Sequence, residues 1–505
     1  MDYSQFFTMW QEIGLLIVFL LVFFYDTFAP KRALGALGTL TCIFFAALTV
    51  LGFCPCLAAD TSVFGGMYQT SDAIVTIKNI LNIGTLIVLI QSVTWANSEF
   101  TRIRRGEFYE LILLTLFGMY LMISAGHFLV FVIGLETASL PLAALVAFEK
   151  NKYESHEAAV KYVLTAVFSS AIFLMGLSIV YGLAGSLSYS EIAASLISTG
   201  NSIGLIVALG FVIAGIGFKL SLVPFHLWTA DVYQGAPTSV TSYLSVISKG
   251  SAAFAFMVVL QQAFGEAYPQ VWEWMLYAVI IATITIGNLF AIRQRNLKRF
   301  LAFSSVSQAG YIMLGVIGNN ELSTTALMFY ILVYIFSNLA AFGVIGAVEN
   351  ATGKVSMDDY NGLYKTNPRL AVTMMLAMFS LAGIPPFAGF FSKFFIFTGA
   401  LGAGTPAMYV LVFIALLNTI VSLYYYLLVV KAMFINESDA PIATFRSSCS
   451  ERLGMWISTA GILFLGLVSC VYDYILQSVA CHRHTPYNAS RSPEGLRLAA
   501  CFLCN

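Results

Sequence analysis

The chain has 505 residues, of which 59% are hydrophobic and 10% charged, with a formal net charge of zero and a mean hydropathy of +0.84. Soluble domains carry roughly 25% charged residues, so this composition excludes a soluble globular protein and leaves a polytopic membrane protein. A transmembrane barrel is excluded too, because alternating strands of about ten residues are missing and the apolar runs are long enough for helices.

Fourteen such runs define predicted helices 1–14, in chain order: 11–29, 34–53, 73–94, 108–124, 126–148, 156–184, 203–225, 238–263, 271–291, 299–318, 322–348, 370–400, 407–432 and 453–475. The leading "MDYSQFFTMWQE" has no basic residue, and no small-x-small site follows helix 1, so that helix is expected to be retained rather than cleaved. The longest polar connections, about 349–369 and 433–452, are loops. Any site therefore lies within the membrane or on partners.

The zero net charge hides an asymmetry. Odd-numbered loops hold 17 Lys and Arg residues, whereas even-numbered loops hold none. By the positive-inside rule the odd loops face the cytoplasm and both termini face outward. Three further arginines lie in the tail after residue 476, which reads as disordered. Five basic residues remain, all lysines within spans: Lys78, Lys161, Lys219, Lys249 and Lys393. Cysteines say little: eight are scattered, and the irregular spacing of Cys481, His482, His484, Cys501 and Cys504 makes a poor zinc site. No metal ligand set is expected.

Helices 6 and 11 match without gaps at an offset of 168 residues, "AAVKYVLTAVFSS" (158–170) over "ALMFYILVYIFSN" (326–338). The next helix in each case is interrupted by proline, helix 7 at Pro224 and helix 12 at Pro385 and Pro386, and each carries a lysine. Equivalent helices five apart point in opposite directions. The expected organisation is thus an all-α bundle with two inverted five-helix repeats, helices 4–8 (108–265) and 9–13 (266–435). Outside them lie helices 1–3 (1–107), a loop with helix 14 (436–475) and the tail (476–505). Paired interrupted helices mark an ion pathway near the midplane, because proline frees a carbonyl that only a protein-lined or wet cavity tolerates.

A charge at mid-bilayer costs roughly 2.5–3.5 kcal/mol even on the lenient insertion scale, so four such lysines in helices 6, 7, 8 and 12 cost about 10 kcal/mol uncompensated. Burial and a neighbouring carboxylate act in opposite directions on an amine's proton affinity, which can poise a lysine for exchange; arginine cannot be poised in this way. Glu136, in "VIGLETASLPLAAL", is the acid placed most centrally in an apolar span, and Lys161 is its nearest basic candidate in sequence. The competing reading of that pair is a structural ion bridge, and of Lys219, Lys249 and Lys393 a reach toward an interface. Lys78 reads as much as a local structural residue as a functional one, and Asp26 and Asp231 as interfacial charges. His226, Tyr330 and Tyr334 are candidate relay residues, with packing as the alternative. No nucleotide loop, nucleophile triad, cysteine cluster or haem motif appears, so the chain is expected to carry no redox centre.

The stretch "GFKLSLVPFHLWTADVYQGAPTSVTSYLSVISKGSA" (217–252), with "GLETASLPLAAL", "NLKRFLAFSSVSQAGYIMLG" and "LAGIPPFAGFFSKFFIF", resembles the antiporter-like membrane subunits of respiratory complex I, and most the subunit N family of bacterial NADH–quinone oxidoreductase. The resemblance covers about residues 10–475. It implies a proton-translocating membrane subunit without redox chemistry of its own. Glu136 and Lys161 would be the glutamate–lysine pair, Lys219 and Lys249 the lysines of helices 7 and 8, and Lys393 the helix 12 residue near the outward half-channel. Quinone, FMN and iron–sulfur clusters would sit only on partner subunits, and the chain would join the other membrane-arm subunits in a bacterial inner (cell) membrane, with no nucleic acid involved. Gln308 stands where many members have histidine, a departure that leaves the continuity of the polar relay there open. Readings from the residues alone also include a subunit of a multi-subunit cation/proton antiporter, the membrane arm of a related hydrogenase or dehydrogenase, and a helical scaffold.

Overall fold

The computed structural model describes residues 3–54, 61–199, 202–265, 269–438 and 440–483. It is a helical bundle. The spans, labelled here to follow the predicted helices, are α1 Gln5–Phe28, α2 Ala33–Leu51, α3 Asp72–Ala96, α4 Arg105–Ile123, α5 Phe128–Val146 and α6 Tyr153–Ala184. Then come α7, broken into Ile203–Leu220 and Leu227–Gly235, α8 Thr238–Ala263, α9 Val271–Ile292, α10 Leu297–Ile317 and α11 Glu321–Thr352. The last are α12, broken into Pro368–Ala382 and Ala388–Leu401, α13 Pro406–Phe434, and α14, bent by 78° between Cys449–Leu467 and Cys470–Ala480. Among the described residues, 12 helices are individually long and apolar enough to cross a membrane, or 13 with the bent pair. Predicted helix 12 is not one of them: neither half of α12 reaches that length, because Gly383 and the prolines divide it.

Capping explains where many spans begin. Ser71 accepts from the Ile74 N–H, Asn296 from those of Lys298 and Arg299, and Asn320 from that of Ser323. Ser448 and Glu451 form a reciprocal capping box at the start of α14. α6 and α11 both run 32 residues and end on a left-handed glycine, Gly185 (φ 72°) and Gly353 (φ 71°). Their starts and ends are each separated by 168 residues, the offset of the sequence match.

The two breaks have the same physical cause but different caps. The first half of α7 stops at Ser221, which turns left-handed (φ 60°); Pro224 follows and lacks the N–H that the next turn needs. The first half of α12 stops at Gly383 (φ 86°) before Pro385 and Pro386. Both Val223–Pro224 and Pro385–Pro386 are cis. The second half of α12 then packs tightly under the first. The Gly389 N–H donates to Ser380 Oγ (3.2 Å), and a Cβ at Gly389 would lie 1.7 Å from the Ser380 carbonyl oxygen. Gly389→Ala is accordingly expected to destabilise the folded chain by ~3 kcal/mol, read as a lower thermal-unfolding midpoint of the purified assembly beside a Gly210→Ala control, whose Cβ meets nothing within 4 Å on a right-handed backbone.

Three features were not anticipated. A two-stranded hairpin, β1 Thr61–Val63 and β2 Tyr68–Thr70, pairs antiparallel in the α2–α3 connection and docks on the α4–α5 turn through Tyr68 and Ala125. A helix at Tyr189–Thr199 fills the α6–α7 connection. Residues 476–483, read as disordered, continue a helix that starts at Cys470. The zinc reading of the tail lies outside the described side chains.

α8, α10 and α11 form the centre of the bundle: 94%, 94% and 89% of their most apolar windows are buried, against 28% for α1, α6 and α13. That ranking decides which intramembrane lysines are enclosed.

Candidate functional site

Lys219 occupies the last turn of the first half of α7, where its side chain is 4% exposed. It crosses to α5 and donates to Ser139 Oγ at 2.6 Å. Ser139 lies three residues beyond Glu136, on the same helix face, and Glu136 is within Coulombic reach of both Lys219 and Tyr162. The break in α7 is satisfied by other groups. Trp228 Nε1 donates to the freed Phe218 carbonyl (3.2 Å), and the Val223 N–H donates to Thr283 Oγ1 (3.0 Å). The lysine is thus spared from capping its own helix and is bonded to Ser139, one turn from the acid.

Lys161 is placed differently from the expectation. Its amine pairs with Asp231 Oδ2 (2.6 Å) and Glu157 Oε1 (2.8 Å), not with Glu136. The reason is burial. α6 is peripheral, Lys161 is 41% exposed, and the second half of α7 brings Asp231 alongside it. Asp231, read as an interfacial charge, also accepts from Arg299 at 2.6 Å and so ties α6, α7 and α10 together.

Lys249 follows a π-helical turn, Leu244–Ser248, inside α8. Such turns re-aim side chains and occur often at functional sites. Its amine donates to both the carbonyl (3.2 Å) and Oγ of Ser305 on α10 and lies 5.5 Å from the centre of the Tyr233 ring. The hydroxyls of Tyr233 and Tyr334 also approach Ser305. Between Lys219 and Lys249 stands an aromatic group, with Phe218 and Trp228 centroids 4.9 Å apart, Trp228 and Tyr162 5.3 Å, and Trp228 and Tyr233 6.3 Å. Among the described residues no hydrogen bond joins the two lysines directly.

The polar line continues through α10, α11 and α13. Tyr330 donates to Gln308 Oε1, Gln308 Nε2 donates to the Tyr426 hydroxyl (3.1 Å), and Tyr426 meets Ser304 Oγ at 2.5 Å. Gln308 therefore carries a hydrogen-bonded link at the position that departs from the family's histidine. Its amide accepts on one side and donates on the other, which a neutral imidazole also does. Tyr334 accepts from Asn338 Nδ2 (3.3 Å), so both tyrosines are polar participants as well as packed rings.

Lys393, in the second half of α12, donates to the Leu381 and Ala382 carbonyls, both at 2.9 Å. These are the carbonyls left free by the break, so here the lysine does cap the interrupted helix. Its amine is 5.5 Å from the Tyr311 ring centre. Lys393, Gln308, Tyr330, Tyr334, Ser392 and Ser337 surround a cavity of about 10 Å3, near the size that one water needs. His226, just after the first break, is buried against Phe290 (6.4 Å between ring centres) and is joined to none of the lysines by a hydrogen bond.

Sequence reasoning missed Ser139, Ser305 and Asp231 as partners. Ser139 carried a usable signal, its i+3 position from Glu136; Ser305 and Asp231 did not, because their roles depend on which helix lies opposite. Lys78 was also underestimated. It pairs with Glu12 at 2.6 Å with both side chains at 2% exposure or less, and the Tyr68 hydroxyl donates to Glu12 (2.9 Å) and accepts from Lys78 (3.3 Å).

The chain is thus a membrane bundle with two proline-broken helices, each bearing a buried lysine, and its residues 125–419 match the family described as NADH:quinone oxidoreductase/Mrp antiporter, TM. NADH-quinone oxidoreductase subunit N of Phocaeicola vulgatus is 52% identical over 476 residues, covering 94% of this chain and 99% of that one. The same subunit of Azobacteroides pseudotrichonymphae is 51% identical over 479 residues, covering 94% and 98%. The chain belongs to the NADH-quinone oxidoreductase subunit N family. Among solved structures, a chain of respiratory complex I from Thermus thermophilus with bound aureothin superposes with a TM-score of 0.76 at 29% identity, covering 93% of this chain and 99% of that one. A chain of the Mrp complex from Dietzia sp. gives 0.80 at 23% identity over 97% and 99%, which shows the shared fold alone.

Proposed function

We propose that this chain is the proton-translocating, non-redox membrane subunit of a bacterial inner-membrane NADH–quinone oxidoreductase, with quinone, FMN and iron–sulfur clusters held by partner subunits. The observation that carries the reading is Lys219: a buried amine at a helix break, bonded to Ser139 one turn from Glu136, with its helix carbonyls capped by other groups. The family membership adds the coupling to quinone reduction. α4–α8 and α9–α13 act as two inverted repeats, with the odd-numbered loops on the cytoplasmic side and both termini outside.

In this reading Glu136 sets the proton affinity of Lys219, and Lys161 is held away from Glu136 by Asp231. Protons move from Lys219 past the aromatic group to Lys249 and Ser305. From there they pass Tyr334, Gln308 and Tyr330 to Lys393 and the outer face. Each transfer moves a proton between an amine, a hydroxyl or an intervening water, and no electron is exchanged.

The assembled complex carrying Lys219→Ala is expected to keep electron transfer from NADH to quinone in uncoupled membranes while losing this subunit's share of protons moved per electron. Lys219→Arg is expected to behave the same way, because guanidinium does not release its proton. An unchanged proton-to-electron ratio in either variant sinks the reading.

A further inference from the structure

A cavity of about 480 Å3 lies between the ends of α3, α5, α8, α11 and α14. Its lining includes Arg104, Glu149, Lys152 and Glu349, which belong to the odd-numbered loops or the helix ends beside them, and Ser242 and Gly343, which lie further in. Gly343 sits nine residues before the end of α11, about 13 Å of helix rise from it. The cavity thus enters the membrane region from the lysine- and arginine-rich face. Small residues keep it open there: a Cβ on Gly343 would come within 2.8 Å of Gln91 Nε2.

A buried polar string starts where the cavity ends. Ser245 Oγ donates to the carbonyl of Ser242 (2.8 Å), and Asn338 Nδ2 donates to Ser245 Oγ (2.8 Å) and to the Tyr334 hydroxyl (3.3 Å). Tyr334 lines the small cavity that it shares with Lys393. Ser242, Ser245, Asn338 and Tyr334 are all at most 4% exposed. Three buried polar side chains of α8 and α11, Ser245, Asn338 and Tyr334, bonded in sequence and joined to the backbone carbonyl of Ser242, connect a vestibule of about 480 Å3 to a titratable amine. Helices 8 and 11 could pack with alkyl groups at these positions at lower desolvation cost. A string of satisfied polar groups between two cavities is therefore more than packing.

Resting on the reading above, we propose that this vestibule and the string Ser242–Ser245–Asn338–Tyr334 form a separate cytoplasmic proton-uptake route to the Lys393 cavity, one that bypasses Lys219. Serine and tyrosine hydroxyls with intervening water carry the proton: each O–H bond that breaks is replaced by one formed with the incoming proton, and the Lys393 amine is the acceptor. Asn338 is a positioning residue that holds the two hydroxyls in line and is not itself protonated.

The test uses the assembled complex in sealed inside-out and right-side-out membrane vesicles. Ser242→Cys is treated with a membrane-impermeant cationic thiosulfonate, and modification of the peptide containing residue 242 is read by mass spectrometry. Modification is expected at least about tenfold faster from the cytoplasmic face, and the modified complex is expected to lose protons moved per electron while electron transfer continues. Asn338→Leu, which removes the string's central donor, is expected to show the same loss; Asn338→Gln, which keeps an amide donor, is expected to recover part of it. Residue 242 unreactive from the cytoplasmic side, or full pumping after its complete modification, overturns the proposal. If Asn338→Leu does not assemble, the modified Ser242→Cys complex alone decides. Lys219→Ala separates the two claims: pumping lost there but intact on blocking residue 242 refutes this route and leaves the proposed function standing.

Discussion

Lys78→Met, as a single change, is expected to destabilise the folded subunit by about 3–5 kcal/mol, the penalty for leaving one member of a buried ion pair unpartnered. The pair is enclosed on every side. Glu12 meets Lys78 and the Tyr68 hydroxyl, and Lys78 also faces the Tyr120 ring at 5.3 Å. Around it Gln11 donates to Asn79, and Asn79 donates to the Gly52 carbonyl, so α1, α2 and α3 share one polar knot. The single variant should assemble poorly and melt early. The double variant Glu12→Gln with Lys78→Met removes both charges, and its stability should lie well above that of Lys78→Met alone. A thermal-melting double-mutant cycle measures the coupling. Additive losses would show that the two side chains do not depend on each other.

At Lys393 the expected losses separate into two kinds. Lys393→Leu removes the one side-chain donor that the Leu381 and Ala382 carbonyls have among the described residues, and each buried acceptor left unpaired costs about 1–3 kcal/mol. It should therefore lower both the melting midpoint and the protons moved per electron. Lys393→Gln keeps an amide donor for one of those carbonyls but cannot carry a proton. It should restore most of the stability and none of the pumping. Measuring both quantities on the same membranes distinguishes a capping lysine from a proton-carrying one. Recovery of pumping by glutamine would assign Lys393 to capping alone.

Much of this architecture is legible in order along the chain. Apolar runs locate the spans because lipid requires about 20 apolar residues per crossing. The breaks at Pro224 and at Pro385–Pro386 are legible because proline cannot continue a helix, and the 168-residue offset between α6 and α11 reappears at both ends of those helices. The five-residue shortfall at the end of predicted helix 7, which stops at Leu220 rather than 225, comes from Ser221 turning left-handed ahead of the proline. The division of α12 into two short halves has the same origin at Gly383.

Partner choice is where reading along the chain reached its limit. Glu136 and Lys161 are close in sequence, yet Lys161 is held by Asp231 and Glu157 while Glu136 faces the Lys219 side of α5. Lys78 looked local and is bonded to a residue 66 positions earlier. Gln308 left the relay open in the sequence and bridges two tyrosines in the fold.

The sequence by itself determined a membrane bundle, its two broken helices and the lysines Lys219, Lys249 and Lys393 as buried chemistry, since hydropathy, proline and charge act locally on each segment. Only the tertiary structure decided which acid, serine or carbonyl each amine meets. Those contacts depend on the rotation and depth at which helices pack, and a helix carries no record in its own residues of the face that its neighbour will present.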